Sequence, residues 1–206
     1  MKKIILVVCF MFLSISSVNA AVVKVSGDKA EAVVQLAADE ALDFLETQKE
    51  NWDDQLVENK FSEILSKYFN VNYIAKASLG QYWKKASDTE KAAYLDVFED
   101  NIVKVYSVRF KEYTDQVIEV EKSSVRGRGD VIVFSRVVSG NGDQPPLDVD
   151  WRVRLQKDGS YKIIDLDVAG VSMLITQKNE YRSIIEQNGG KVQALIDELE
   201  DIVANN

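Results

Sequence analysis

Carboxylates, serines, lysines and tyrosines are the reactive groups available to this 206-residue chain, which has no histidine and one cysteine, Cys9. A Ser-His-Asp arrangement cannot exist without histidine, and tight zinc sites, which use cysteine and histidine, are disfavoured. Asp165 and Asp167 alternate along an expected strand and would project to one face with Ile163, a spacing that suits a calcium ion or an acid/base pair. No glycine-containing calcium loop and no third nearby acid accompanies them, so a solvated or edge face of a strand is the plainer reading. Asp53-Asp54 reads as the acidic start of a helix. Ser172 follows Gly170 with no base in reach along the sequence, which makes it a helix cap before it is a nucleophile. The chain is poor in catalytic chemistry, and the expectation is a protein that is not an enzyme and carries no metal.

Even Cys9 belongs to a segment expected to be removed. Lys2 and Lys3, the apolar run 4–13 and the ending Val18-Asn19-Ala20 have the three parts of an export leader, 1–20, cut after Ala20. The apolar run is too short to span a bilayer well, and Cys9 sits in its middle and not at its cleavage end, where a lipid would be attached. What remains, 21–206, has no disulfide, is expected to be soluble, and reads as one domain, since no Pro/Gly-rich linker interrupts it. Without Lys2 and Lys3 it has 23 basic and 33 acidic side chains, a net charge of −10. Nucleic acid is therefore an unsuitable partner, because its affinity rests on a basic surface, and anionic membranes repel the chain on average. Arg126-Gly127-Arg128 with Lys122 is the single basic candidate for docking, and reads first as a solvated turn.

The elements that must position any site follow from apolar periodicity. Ala30, Val33, Val34, Ala37, Ala41, Phe44 and Leu45 recur at helical steps, as do Leu56, Phe61, Ile64, Leu65 and Tyr68 within 51–68. A short helix over 71–79 stops at Gly80. Ser87 and Glu90 form a capping box for the longest helix, expected to reach about Tyr113, with Tyr94, Leu95, Phe98, Ile102, Val105, Tyr106, Phe110 and Tyr113 as its stripe. Four strands follow, 116–122, 131–138, 147–155 and 161–168, on turns short enough for an antiparallel meander. In the third, Leu147, Val149, Trp151, Val153 and Leu155 alternate with Asp148, Asp150, Arg152 and Arg154, so one face is greasy and the other wet. The second carries apolar groups on both faces. Helices over 171–185 and 191–203 close the chain. The fold class is α+β, helices packed over one curved sheet, and long apolar surfaces in such a chain fit either a carrier or a structural adaptor.

Several segments, read in order, resemble the MlaC family, the periplasmic phospholipid-binding proteins of the lipid-asymmetry pathway in double-membrane bacteria. They are 73–83 (Tyr-Ile-Ala-Lys-Ala-Ser-Leu-Gly-Gln-Tyr-Trp), 94–98 with Tyr106, 145–151 (Pro-Pro-Leu-Asp-Val-Asp-Trp), 165–172, 173–182, and Gly189-Gly190 with Leu195, Ile196 and Leu199. The blocks 79–83 and 170–173 are the most specific. The sequence departs from the family at Tyr161, where tryptophan is usual, and at Ala169, where glutamate is.

The resemblance implies a carrier that holds the acyl chains of a glycerophospholipid in an apolar pocket, with the head group outside and no other cofactor. It also implies a periplasmic monomer that shuttles lipid between an outer-membrane lipoprotein/porin complex and an inner-membrane ABC-transporter complex, maintaining outer-membrane lipid asymmetry. A curved antiparallel four-stranded sheet, covered by N- and C-terminal helices, would enclose the pocket. Its expected walls are Phe98, Ile102, Tyr106, Phe134, Leu147, Val149, Trp151, Val153 and Val171, with Tyr82 and Trp83 at the mouth. Arg152, Arg154, Lys84 and Lys85 are candidate neighbours of the phosphate. The remaining alternative is a non-enzymatic adaptor, or a binder of another apolar ligand.

Overall fold

The computed structural model describes residues 25–48, 50, 52–110, 116–140, 142 and 145–205. The expected leader, its cleavage point and the end of the long helix beyond 110 lie outside them.

Helices form where apolar side chains recur at three- and four-residue steps, and their ends follow local capping chemistry. Helix α1 (Gly27–Gln48) buries Ala30, Val34, Ala37, Ala38 and Leu45 along one stripe. Helix α2 (Asp54–Tyr68) opens at Asp53, whose carboxylate accepts the Leu56 N–H at 2.9 Å. Asn70 does the same for Tyr73 at the start of α3 (Val71–Leu79). Gly80, at φ 57°, ends α3; a Cβ there would stand 2.8 Å from Lys178 Cε, on a flexible side chain that can move aside, so it is the left-handed backbone that calls for glycine. A 3₁₀ turn, Gly80–Lys84, leads to α4 (Asp88–Phe110). The capping box is present: Ser87 Oγ accepts the Glu90 N–H at 3.2 Å and the Glu90 carboxylate accepts the Ser87 N–H at 2.8 Å.

Strands β1 (Gln116–Val125), β2 (Asp130–Ser139), β3 (Leu147–Leu155), β4 (Tyr161–Val168) and β5 (Val171–Ser172) form one antiparallel sheet in sequence order. The fifth strand corrects an expectation, since helix was expected from residue 171. Ala169 (φ 51°) and Gly170 (φ 83°) both adopt left-handed backbone, the conformation of a two-residue hairpin turn. The chain therefore pairs Val171 with Val168 before α5 (Met173–Gln187) begins at the Ser172 cap, and α6 (Val192–Asn205) follows. Register breaks at Glu121 in β1 and Ile164 in β4 bend the sheet. The second break lets Ile163 and Ile164 both be fully buried, where strict alternation would turn one outward.

Buried side chains gather in two clusters. One joins α3, the 3₁₀ turn, α4, α5 and α6 around Tyr94, Phe98, Tyr181, Ile185 and Leu195. The other joins the inner face of the sheet to α1 and the end of α2, around Ala30, Val34, Val131, Val133, Trp151, Val153 and Ile163. Helix α4 packs on both α6 and α2: Tyr94 and Phe98 of the expected stripe are buried, Leu95, Ile102, Val105 and Tyr106 are half-buried, and Val97 and Val103 beside them are buried too. Among the described residues no helix is long and apolar enough to cross a membrane.

Candidate functional site

The two clusters do not fill the space between them. A cavity of about 490 Å³ lies there, touching Phe98 of the helical cluster and Ala37, Ile64, Val149 and Trp151 of the sheet cluster. Ligand pockets commonly measure roughly 300–1,000 Å³. Helix α1 contributes Ala37, Ala38, Ala41, Leu42 and Leu45, and α2 contributes Phe61, Ile64 and Leu65. Val71 and Ile74 of α3, Phe98, Ile102 and Tyr106 of α4, and Met173, Leu174 and Gln177 of α5 close the helical side. The sheet supplies Gln116, Ile118, Val137, Leu147, Val149, Trp151, Ile164, Leu166 and Val168. Small residues on α1 make the room: alanines at three of its lining positions hold the helix backbone over the sheet without reaching it.

Register explains where the cavity ends. Val149 stands opposite Ser135, Trp151 opposite Val133 and Val153 opposite Val131, so all are on the inner face. Val153 and Val131 are fully buried in the solid packing under Ala30 and Val34, beyond the Trp151 floor. The Trp151 ring is tethered, its Nε1–H donating to Ser135 Oγ at 2.8 Å while that hydroxyl donates to the Val149 carbonyl at 2.8 Å. At the other end Leu147 lines the wall yet is 38% exposed, so the cavity opens there.

Six of the nine expected wall residues are brought together: Phe98, Ile102, Tyr106, Leu147, Val149 and Trp151. Phe134, Val153 and Val171 are not. Phe134 pairs with Asp150 on the opposite face of the sheet, where Lys122 lies 5.4 Å above its ring. Val153 sits past the floor, and the 169–170 turn leaves Val171 55% exposed on β5. Neither Tyr82 nor Trp83 reaches the cavity. The 3₁₀ turn folds both against the helical cluster, with the Tyr82 hydroxyl 3.4 Å from Glu186 and Lys76 over the Trp83 ring at 5.2 Å. Sequence reasoning missed the walls from α1, α2, α3 and α5 and the Ser135 tether. The one polar residue at an inward position of an otherwise valine-rich stretch of β2 was the available sign of that tether.

The charged groups at and around the cavity are occupied, including Asp165, the one charged residue among those that line it. Burial alone would raise the Asp130 carboxyl, but the Arg154 and Arg152 guanidiniums outweigh it and hold it below the usual range, with contacts of 2.5 and 2.6 Å. These arginines, expected as phosphate neighbours, are thus committed to Asp130, and Arg154 also lies over Tyr73 at 4.6 Å. Asp165 accepts from Ser172 Oγ at 2.7 Å and Leu174 N–H at 3.0 Å, fastening the start of α5. The Ile164 bulge therefore separates Asp165 from Ile163, and no group of three or more acidic, histidine or cysteine side chains able to hold a metal occurs among the described residues. On the outer side of α1, Glu40 accepts from Lys60, Lys67 and the Tyr68 hydroxyl at 2.6, 2.7 and 2.7 Å, which lowers its carboxyl to about 2.

Among the described residues a bent sheet and six α-helices surround an apolar chamber open at one end, and these define the class: an α+β fold built on a preformed hollow and not on a solid core. The model of the MlaC family, described as MlaC protein, matches residues 35–201, and the chain belongs to that family. It is 28% identical over 124 residues to the intermembrane phospholipid transport system binding protein MlaC of Haemophilus influenzae; the match covers 59% of this chain and 58% of that relative. A phospholipid-binding protein from Ralstonia solanacearum, solved in complex with a phospholipid, shares the fold with a TM-score of 0.74. That likeness covers 85% of this chain and 97% of the other at 22% identity.

Proposed function

We propose that this protein is a periplasmic phospholipid carrier, exported on the 1–20 leader, that shelters acyl chains in the cavity and leaves the head group outside. The observation that carries the reading is the unfilled, almost wholly apolar space between two packed clusters. Each methylene kept from water is worth about 0.8 kcal/mol, so a two-chain lipid needs such a shelter to cross an aqueous gap. A membrane shelters the chains nearly as well, so transfer is close to balanced and its direction comes from the partners at either end. Those partners are an outer-membrane lipoprotein/porin complex and an inner-membrane ABC-transporter complex of the Mla type, and the carrier works as a monomer without catalysis. Relatives named for phospholipid binding and intermembrane phospholipid transport support this reading.

Organic extraction of the purified mature protein followed by mass spectrometry tests it. About one phospholipid per chain is expected from wild type and from the exposed control Val171→Glu, and none from Val149→Glu, which puts a charge on the cavity wall. Wild-type protein that neither yields phospholipid nor takes it up from vesicles would be an adaptor and not a carrier.

A further inference from the structure

The cavity contains one unexplained polar atom. Gln116, the first residue of β1, lines the wall, and its Oε1 is buried with no hydrogen-bond partner. Buried polar atoms without partners cost stability and are uncommon, so each calls for an explanation. The one carboxylate on the wall, Asp165, is already engaged with Ser172 and the start of α5.

Position gives the explanation. Gln116 stands opposite Ser139, and the Trp151 floor lies opposite Val133 on the same strand β2. Six residues of strand separate those rows, roughly 20 Å at about 3.3 Å per residue. One leaflet of a bilayer, half of a hydrocarbon core of about 30 Å, is roughly 15 Å deep. A chain of leaflet length whose tip rests on Trp151 therefore brings its ester end to about 5 Å short of the Gln116 row, within reach of a glutamine side chain and near the open end marked by Leu147. No hydrogen bond fixes the Gln116 oxygen, so the carboxamide can turn over in place and present its N–H groups, which match the acceptor chemistry of an ester carbonyl.

Resting on the carrier reading above, we propose that the Gln116 carboxamide is the hydrogen-bonding contact for an acyl ester carbonyl of the bound lipid. It sets how deep the lipid sits and favours ester-linked chains over ether-linked ones.

The test loads the purified mature protein with diacyl phosphatidylethanolamine or with its dialkyl-ether analogue of equal chain length, and follows release to acceptor vesicles. Wild type should release the ester lipid about fivefold more slowly than the ether lipid, the size of one net hydrogen bond. In Gln116→Leu the ratio should fall to about one, and Gln116→Met repeats the test should leucine disturb the strand. Equal release from wild type, or a preference that survives both substitutions, overturns the Gln116 assignment alone. Failure of wild type to hold either lipid overturns the carrier reading and this assignment with it.

Discussion

The same substitution at two places on α1 should have opposite effects on stability. Ala38 is 2% exposed and lines the cavity, yet belongs to neither packed cluster, whereas Ala30 is 0% exposed and lies inside the sheet cluster. In Ala38→Leu three added carbons enter empty apolar space, a gain of up to about 2.4 kcal/mol at roughly 0.8 kcal/mol per carbon. Ordering the leucine side chain costs about 0.5–1 kcal/mol, leaving a gain near 1.5 kcal/mol. For a chain of this size that is a rise of about 3–6 °C in Tm. In Ala30→Leu the same carbons meet filled space, and overpacking should cost about 1–3 kcal/mol. Thermal unfolding followed by circular dichroism on lipid-free protein measures both. The Ala38→Leu protein should also retain less phospholipid after purification, because the added carbons compete with the chains. If Ala38→Leu destabilises as much as Ala30→Leu, the space beside Ala38 is filled and the reasoning fails.

Two further outcomes follow from individual polar groups. The Tyr181 hydroxyl is buried without a hydrogen-bond partner, and burial drives its pKa upward, so it remains a neutral, desolvated group. Tyr181→Phe should raise stability by about 1 kcal/mol in urea unfolding, and an equal loss would mean that the hydroxyl is bonded. Glu40 clamps α1 to α2, and its carboxyl is lowered from the ordinary 4.5 to about 2 by hydrogen bonds from Lys60, Lys67 and Tyr68. A depressed carboxylate contributes its stability above the unfolded value and loses it as pH falls toward the folded one. Glu40→Gln should therefore cost about 1 kcal/mol at pH 7, with the gap to wild type closing between about pH 4.5 and 2. A gap that does not change over that window would refute the clamp.

Most of the secondary structure was legible because each element carries its own period and its own cap: the alternation of 147–155, the Ser87/Glu90 box and the stripe from Tyr94 to Tyr106 all lead to the observed elements. The half of the site built from β3 and α4 was legible for the same reason. The rest depends on features without local signatures. Alanines on α1 look the same in sequence whether they allow close packing, as at Ala30, or leave a hollow, as at Ala38. Strand β2 has apolar groups on both faces, so only its pairing partners decide that Phe134 points away from the cavity. Val153 has the right face and the wrong depth, and depth is set by where α1 settles. The misplacement of Val171 traces to Ala169, a non-glycine residue in left-handed backbone that sequence pattern alone does not reveal.

The central claim is that acyl chains occupy the space between the sheet and the helices, and photo-crosslinking with a phospholipid carrying a diazirine near the end of one chain tests it most directly. Peptide mapping should place the crosslinks on Phe98, Ile102, Val149 and Trp151, with none on Phe134 across the sheet. Crosslinks confined to the outer face, or none at all in protein that has taken up the lipid, would contradict the account.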